Sequence, residues 1–174
     1  MNKLLVATAL CLGLASCTQR EELTKDAALR LIQQEMNYPK VYDHDIFCSD
    51  PEHARKVLDA NLEKEGLLTV KRTQRMAEAG KPLISFTAKA SPYLLPVSET
   101  DKKTNIQKVK IADENLVQVT GIETANDGKN ATVKYTTAYK NLTPFAALVH
   151  ADLKNQATRT ARLVLHDGEW RLEK

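Results

Sequence analysis

Two residue types in this 174-residue sequence supply nucleophiles or soft ligands near neutral pH: three cysteines, at positions 11, 17 and 48, and four histidines, at 44, 53, 150 and 166. A thiolate is a strong nucleophile, and imidazole changes charge close to neutrality. His44 and Cys48 stand four residues apart in His44-Asp45-Ile46-Phe47-Cys48, a spacing that allows a thiol–imidazole pair. Neither an orienting third group nor an oxyanion-binding turn accompanies them. By composition Cys48 reads first as a small, half-buried hydrophobe. No two histidines have the spacing of helical metal ligands, and no cysteine pair exists to complete a zinc site. His150 and Asp152 fall on different faces of a helix, whereas His44-Asp45 and His166-Asp167 are adjacent at bends, where polar side chains meet water. Six scattered glycines offer no phosphate-cradling loop. Tyr135, Tyr139 and Trp170 are spaced as sheet positions rather than as a stacking platform. The sequence therefore assigns no catalytic residue, no metal ligand and no cofactor site. A small hydrolase using Cys48 or a histidine is the enzymatic alternative.

The thiol at 17 has different surroundings. Asn2 and Lys3 give a short polar, positive start, Leu4 to Leu14 is apolar or small throughout, and Leu14-Ala15-Ser16-Cys17 follows. An apolar run of about eleven residues spans, as a helix, about half of a ~30 Å hydrocarbon core, so the segment reads as a cleavable export signal. Leu14-Ala15-Ser16-Cys17 resembles the lipobox of bacterial lipoproteins, which follows a type II signal peptide. The resemblance implies that residues 1–16 are removed, that the Cys17 thiol receives a diacylglycerol, and that the freed amine takes a further fatty-acyl chain such as palmitate. Two or three chains give stable anchoring, because each buried methylene contributes about 0.8 kcal/mol. Residues 17–23 then form a lipidated tether. Thr18 stands where an inner-membrane lipoprotein carries Asp, which favours the outer membrane. Arg20-Glu21-Glu22 is similar to the export signal of surface-displayed lipoproteins, so the periplasmic side and the surface both stay open.

The charge balance fits such an address better than a polyanion-binding role. Lys and Arg number 25 against 22 Asp and Glu, a net charge of +3, and loss of Lys3 with the signal leaves about +2. Bulk charge thus gives no drive toward nucleic acid or anionic lipid. With Cys11 removed and Cys17 lipidated, Cys48 is the single free thiol. The domain must be held by its core without an internal disulfide.

Leu23 to Met36 predicts a helix with Thr24 as N-cap and Asp26 in its first turn, stopped by Tyr38-Pro39. Lys40 to Cys48 reads as irregular or as a short strand. Ser49-Asp50-Pro51-Glu52 predicts a capped helix over 51–65, closed by Gly66. The period then shortens to two, with Leu68 and Val70 followed by a returning strand through Leu83-Ile84-Ser85-Phe86. Residues 24–95 resemble the tail of a winged-helix domain: a helix ending in Glu-Gly-Leu, then a wing returning into Phe86-Thr87-Ala88-Lys89. Phe86 departs from that family's aliphatic residue, and Ala90 from its glycine. The resemblance implies a nucleic-acid module as a further alternative, and Lys71, Arg72, Arg75, Lys81 and Lys89 make the hairpin basic. Residues 18–95 nevertheless balance their charges, so no nucleic-acid partner is expected.

Polar residues 96–105 predict a boundary. Beyond it, 105–174 carries strand patterns at Val109-Ile111, Val117-Val119-Ile122 and Ala131 to Tyr139, a turn at Asn126-Asp127-Gly128, a helix from Thr143-Pro144 to Leu153, and a final hairpin around Asp167-Gly168. That hairpin looks like the last one of small bacterial lipoproteins of cystatin-like or related α+β form. The expectation is an α+β chain with an N-terminal helical half bearing a β-hairpin and a C-terminal antiparallel sheet with one packed helix. Functionally it is a lipid-anchored envelope protein, a non-catalytic binding or structural module whose partner is an envelope protein or polymer.

Overall fold

The structure, a computed structural model, describes residues 22–173. Cys17, the residues before it and most of the tether lie outside that range. The elements are α1 (Lys25–Glu35), β1 (Lys40–Phe47), α2 (Pro51–Asp59), β2 (Leu68–Val70), β3 (Ile84–Phe86), α3 (Glu99–Lys103), β4 (Ile106–Thr124), β5 (Asn130–Lys140), β6 (Ala157–His166) and β7 (Glu169–Leu172), with 3₁₀ turns at Met76–Glu78, Ala88–Tyr93 and Pro144–Leu148. Five strands form one antiparallel sheet in the order β1-β4-β5-β6-β7, and β2 and β3 pair separately. The class is α+β with an antiparallel sheet, as the patterns predict.

β4 organises the sheet. Its first half pairs with β1, from Phe47 opposite Ile106 to Lys40 opposite Glu114, and its second half pairs with β5. The register shifts between Leu116 and Gln118 and again between Val119 and Gly121. Bulges of this kind bend a strand and raise its twist, so the sheet curls along the length of β4. Two segments with separate alternation in the sequence are thus one nineteen-residue strand.

Each half of β4 faces its own core. Val109, Ile111 and Ala112 join Ile46, Cys48, Ala54, Val57, Leu62, Leu67, Leu68, Ile84 and Phe145 in one cluster. Val119 joins Ala28, Ile32, Tyr38, Val133, Tyr135, Ala161 and Leu163 in the other. The alternation of Ala131, Val133, Tyr135 and Thr137 holds: all four are buried on one face of β5. The expectation of an N-terminal helical half is corrected. That region holds only α1 and α2, of eleven and nine residues, and β1 between them is a strand of the main sheet. The helices belong to different cores, so the helix–helix–hairpin unit of a winged-helix reading is split. Both cores also take residues from each side of 96–105. The helix laid on the β5–β6 face is α1, whereas Pro144–Leu148 makes only a 3₁₀ turn after Thr143, whose hydroxyl accepts from the Phe145 amide.

Capping explains where the helices end. Thr24 caps α1 as predicted, its hydroxyl accepting from the Ala27 amide at 3.2 Å. α2 is capped by Asp50, whose carboxylate accepts from the Glu52 amide at 2.7 Å. Ser49 instead donates to the Gly80 carbonyl and accepts from the Asn105 side chain. α2 stops at Asp59 rather than 65, because Asn61 takes the left-handed conformation (φ 59°). The Leu62 and Asn61 amides then bond back to the Val57 and Leu58 carbonyls, which closes the last turn. Asn37 ends α1 in the same way.

Candidate functional site

The thiol and the imidazole weighed above do not meet. Cys48 is buried, its thiol turned to the Ile46 carbonyl at 3.6 Å. Burial pushes that thiol up to about 11, which keeps it protonated and unreactive at neutral pH. His166 lies on the surface against Asp167, 2.8 Å away, and His150 is exposed. Among the described residues, no group of three His, Cys, Asp or Glu side chains is placed to hold a metal ion.

Two histidines do come together. His44 on β1 and His53 in the first turn of α2 stack at 6.2 Å between ring centroids, with 22° between planes. Phe47 closes the group, its ring edge-on to His53 at 5.0 Å and its amide donating to His53 Nδ1 at 3.4 Å. Burial, the His53 ring and Lys56 lower the pKa of His44, while Asp45 and Asp43 oppose the shift. The sequence signal for this pair was a strand residue nine positions before a helix's first turn, which needs the β1–α2 turn to be recognised as tight.

Beside this seam, α2 and the β2–β3 hairpin border a groove of about 420 Å³. Ala54, Leu58, Val70 and Leu83 supply its apolar wall, and Arg55, Lys71 and Arg72 stand on its rim with Asp59. The hairpin cations are partly engaged. Arg72 pairs with Glu63 at 2.6 Å, Lys71 approaches Glu78 at 3.7 Å, and Lys89 donates to the Glu65 carbonyl. Glu63 also accepts from the Val70 amide, so these contacts fasten β2 to the turn after α2. Met76, in the hairpin's connecting loop, is 95% exposed.

The third cluster lies where the two cores join. Glu114 Oε1 accepts from Thr137 Oγ1 at 2.8 Å and from Arg159 at 3.3 Å. Tyr42 and Tyr139 lie nearby with ring centroids 5.3 Å apart and planes tilted by 36°, and Tyr38 and Tyr135 meet edge-on at 6.4 Å. Burial raises the Tyr38 phenol, and its bond with the Tyr135 hydroxyl adds to the rise. These partners satisfy one another, which makes the cluster a polar joint. Sequence reading missed it, because the joint forms only once β4, β5 and β6 are in register.

Among the described residues, no helix is long and apolar enough to cross a membrane. No protein-family model matches the chain, and comparisons with curated proteins and with solved structures return no match.

Proposed function

We propose that this chain is a lipid-anchored protein of the bacterial cell envelope, attached through Cys17 after removal of residues 1–16, whose α+β domain is a non-catalytic docking module. The observation that carries the reading is Leu14-Ala15-Ser16-Cys17 directly after a basic start and an apolar run. Leu23, the first core residue, is 8% exposed, and six residue steps from Cys17 reach at most about 20 Å. A lipid on Cys17 therefore holds the domain close to the bilayer, on the outer membrane if Thr18 acts as the sorting residue. The partner is a protein segment that offers an apolar side chain with a carboxylate beside it. The groove beside α2 supports this choice, since its apolar wall is bordered by Arg55, with Arg72 and Lys71 already facing Glu63 and Glu78, and so suits such a segment. A buried, protonated Cys48, with His44 and His53 engaged in the β1–α2 seam and His150 and His166 apart from it on the surface, makes a hydrolase the weaker reading.

Detergent phase separation of the native protein, with mass analysis of its N-terminus, tests the anchor. The expected result is partition into the detergent phase with an N-terminal residue 17 bearing acyl chains, and a shift to the aqueous phase in Cys17→Ala. A native protein that is fully aqueous, or begins elsewhere, overturns the proposal.

A further inference from the structure

The seam between β1 and α2 is arranged so that acid works against it. His53 Nδ1 accepts from the Phe47 amide at 3.4 Å, so that nitrogen carries no proton. An imidazolium has two donors and no acceptor, and its formation turns this bond into an N–H facing an N–H. His53 is also the third residue of α2, where the helix end is positive and disfavours a cation. His44 lies 6.2 Å away by ring centroids, and a proton there sets a second cation against the first.

The neighbouring carboxylates are already occupied. From β1, Asp45 and Asp43 face Lys108 of β4 at 2.7 and 3.4 Å. From α2, Glu52 holds Lys56 at 2.9 Å, and Asp50 is spent on the Glu52 amide as the helix cap. Arg55 is a further cation on the same helix. Protonation of the pair thus adds charge to a seam whose anions have partners.

We propose that His44 and His53 form an acid-sensitive latch: a proton on the stacked pair sets a cation against the Phe47 N–H and the first turn of α2, breaks the Phe47–His53 bond and releases α2 from β1. The sign follows from the neutral forms being the docked forms. The lowered pKa of His44 means that its contribution is present above about 6.5, the ordinary histidine value, and is lost as pH falls through the lowered one. Because α2 supplies Ala54 and Val57 to the core and Leu58 to the groove wall, release opens an apolar surface next to the hairpin.

Hydrogen–deuterium exchange on the full mature protein, at pH 7.5 and 5.0 with intrinsic rates corrected, tests the latch. Amides of residues 54–62 are expected to lose at least tenfold protection at the lower pH while those of α1 keep theirs. The His44→Gln/His53→Gln chain keeps an acceptor for the Phe47 amide and cannot titrate at either position, so its α2 protection is expected to change less than threefold. His53→Gln alone is the second variant should the double one fail to fold, with the same limit. Constant α2 protection in the native protein, equal loss in α1 and α2, or an undiminished loss in the variant overturns the proposal.

Discussion

Glu114 on β4 and Arg159 on β6 meet across the strand that separates them, with Arg159 Nη2 3.3 Å from the Glu114 oxygen that also accepts from Thr137 on β5. One carboxylate thus ties three strands at the place where the core under α1 gives way to the core under α2. Its side chain is 15% exposed and that of Arg159 47%, so the two partners do not depend on each other equally.

That asymmetry sets the first prediction. Glu114→Ala strips the buried Thr137 hydroxyl of its acceptor and is expected to cost about 1–3 kcal/mol. Arg159→Ala removes a half-exposed, solvent-screened partner and is expected to cost under about 1 kcal/mol. Urea denaturation of both variants checks the order, and equal losses contradict it.

The two cores share β4, which leads to the second prediction. Ile32 of α1 and Ile46 of β1 are both fully buried, one in each cluster. Truncation of either to Ala is expected to cost about 2–5 kcal/mol. Since they touch different neighbours, the double variant should add to within about 0.5 kcal/mol. A single sheet nonetheless runs through both cores, so one unfolding transition is expected by circular dichroism and by Trp170 fluorescence. Two separated transitions are the outcome that contradicts a shared fold.

What was legible in the sequence was local. The alternation through Ala131, Val133, Tyr135 and Thr137 fixes the buried face of β5, Thr24 caps α1 at its expected place, and Asp167-Gly168 turns between β6 and β7 with both residues at positive φ. What escaped had two physical sources. Asn37, Asn61 and Asn105 do the helix-closing work that glycine more often does, at φ of 54°, 59° and 56°; a helix predicted to reach Gly66 therefore runs six residues too long. The second source is pairing at a distance. Lys40 to Phe47 alternates poorly, because Asp43 and Asp45 share one face with Val41 and Phe47, and only pairing with β4 makes it a strand. The same holds for the site: His44 and His53 needed a strand and a helix set face to face before their meeting could be seen, and the groove needed the β2–β3 hairpin in place.

The last prediction concerns the thiol that the sequence put forward as a nucleophile. In the mature chain Cys17 is taken up by the proposed thioether, which leaves Cys48 as the thiol that can react. Its ordinary value of 9.0 rises to about 11 through burial, so at pH 8 about one molecule in a thousand carries the thiolate, against about one in ten unfolded chains. Reaction with an aromatic disulfide reagent at pH 8 is therefore expected to run at least about a hundredfold slower in the folded protein than in guanidinium, before steric exclusion slows it further. The same burial gives a stability effect of definite sign. The protonated thiol is the folded form, so its contribution is complete below about pH 9 and is lost as pH climbs toward 11. Cys48→Ala removes this titration, and the alkaline limb of its stability curve should lie above that of the unsubstituted protein once the curves are matched at pH 7. A rapidly modified native thiol would return Cys48 to consideration as a catalytic group, since only an ionised and accessible sulfur reacts so.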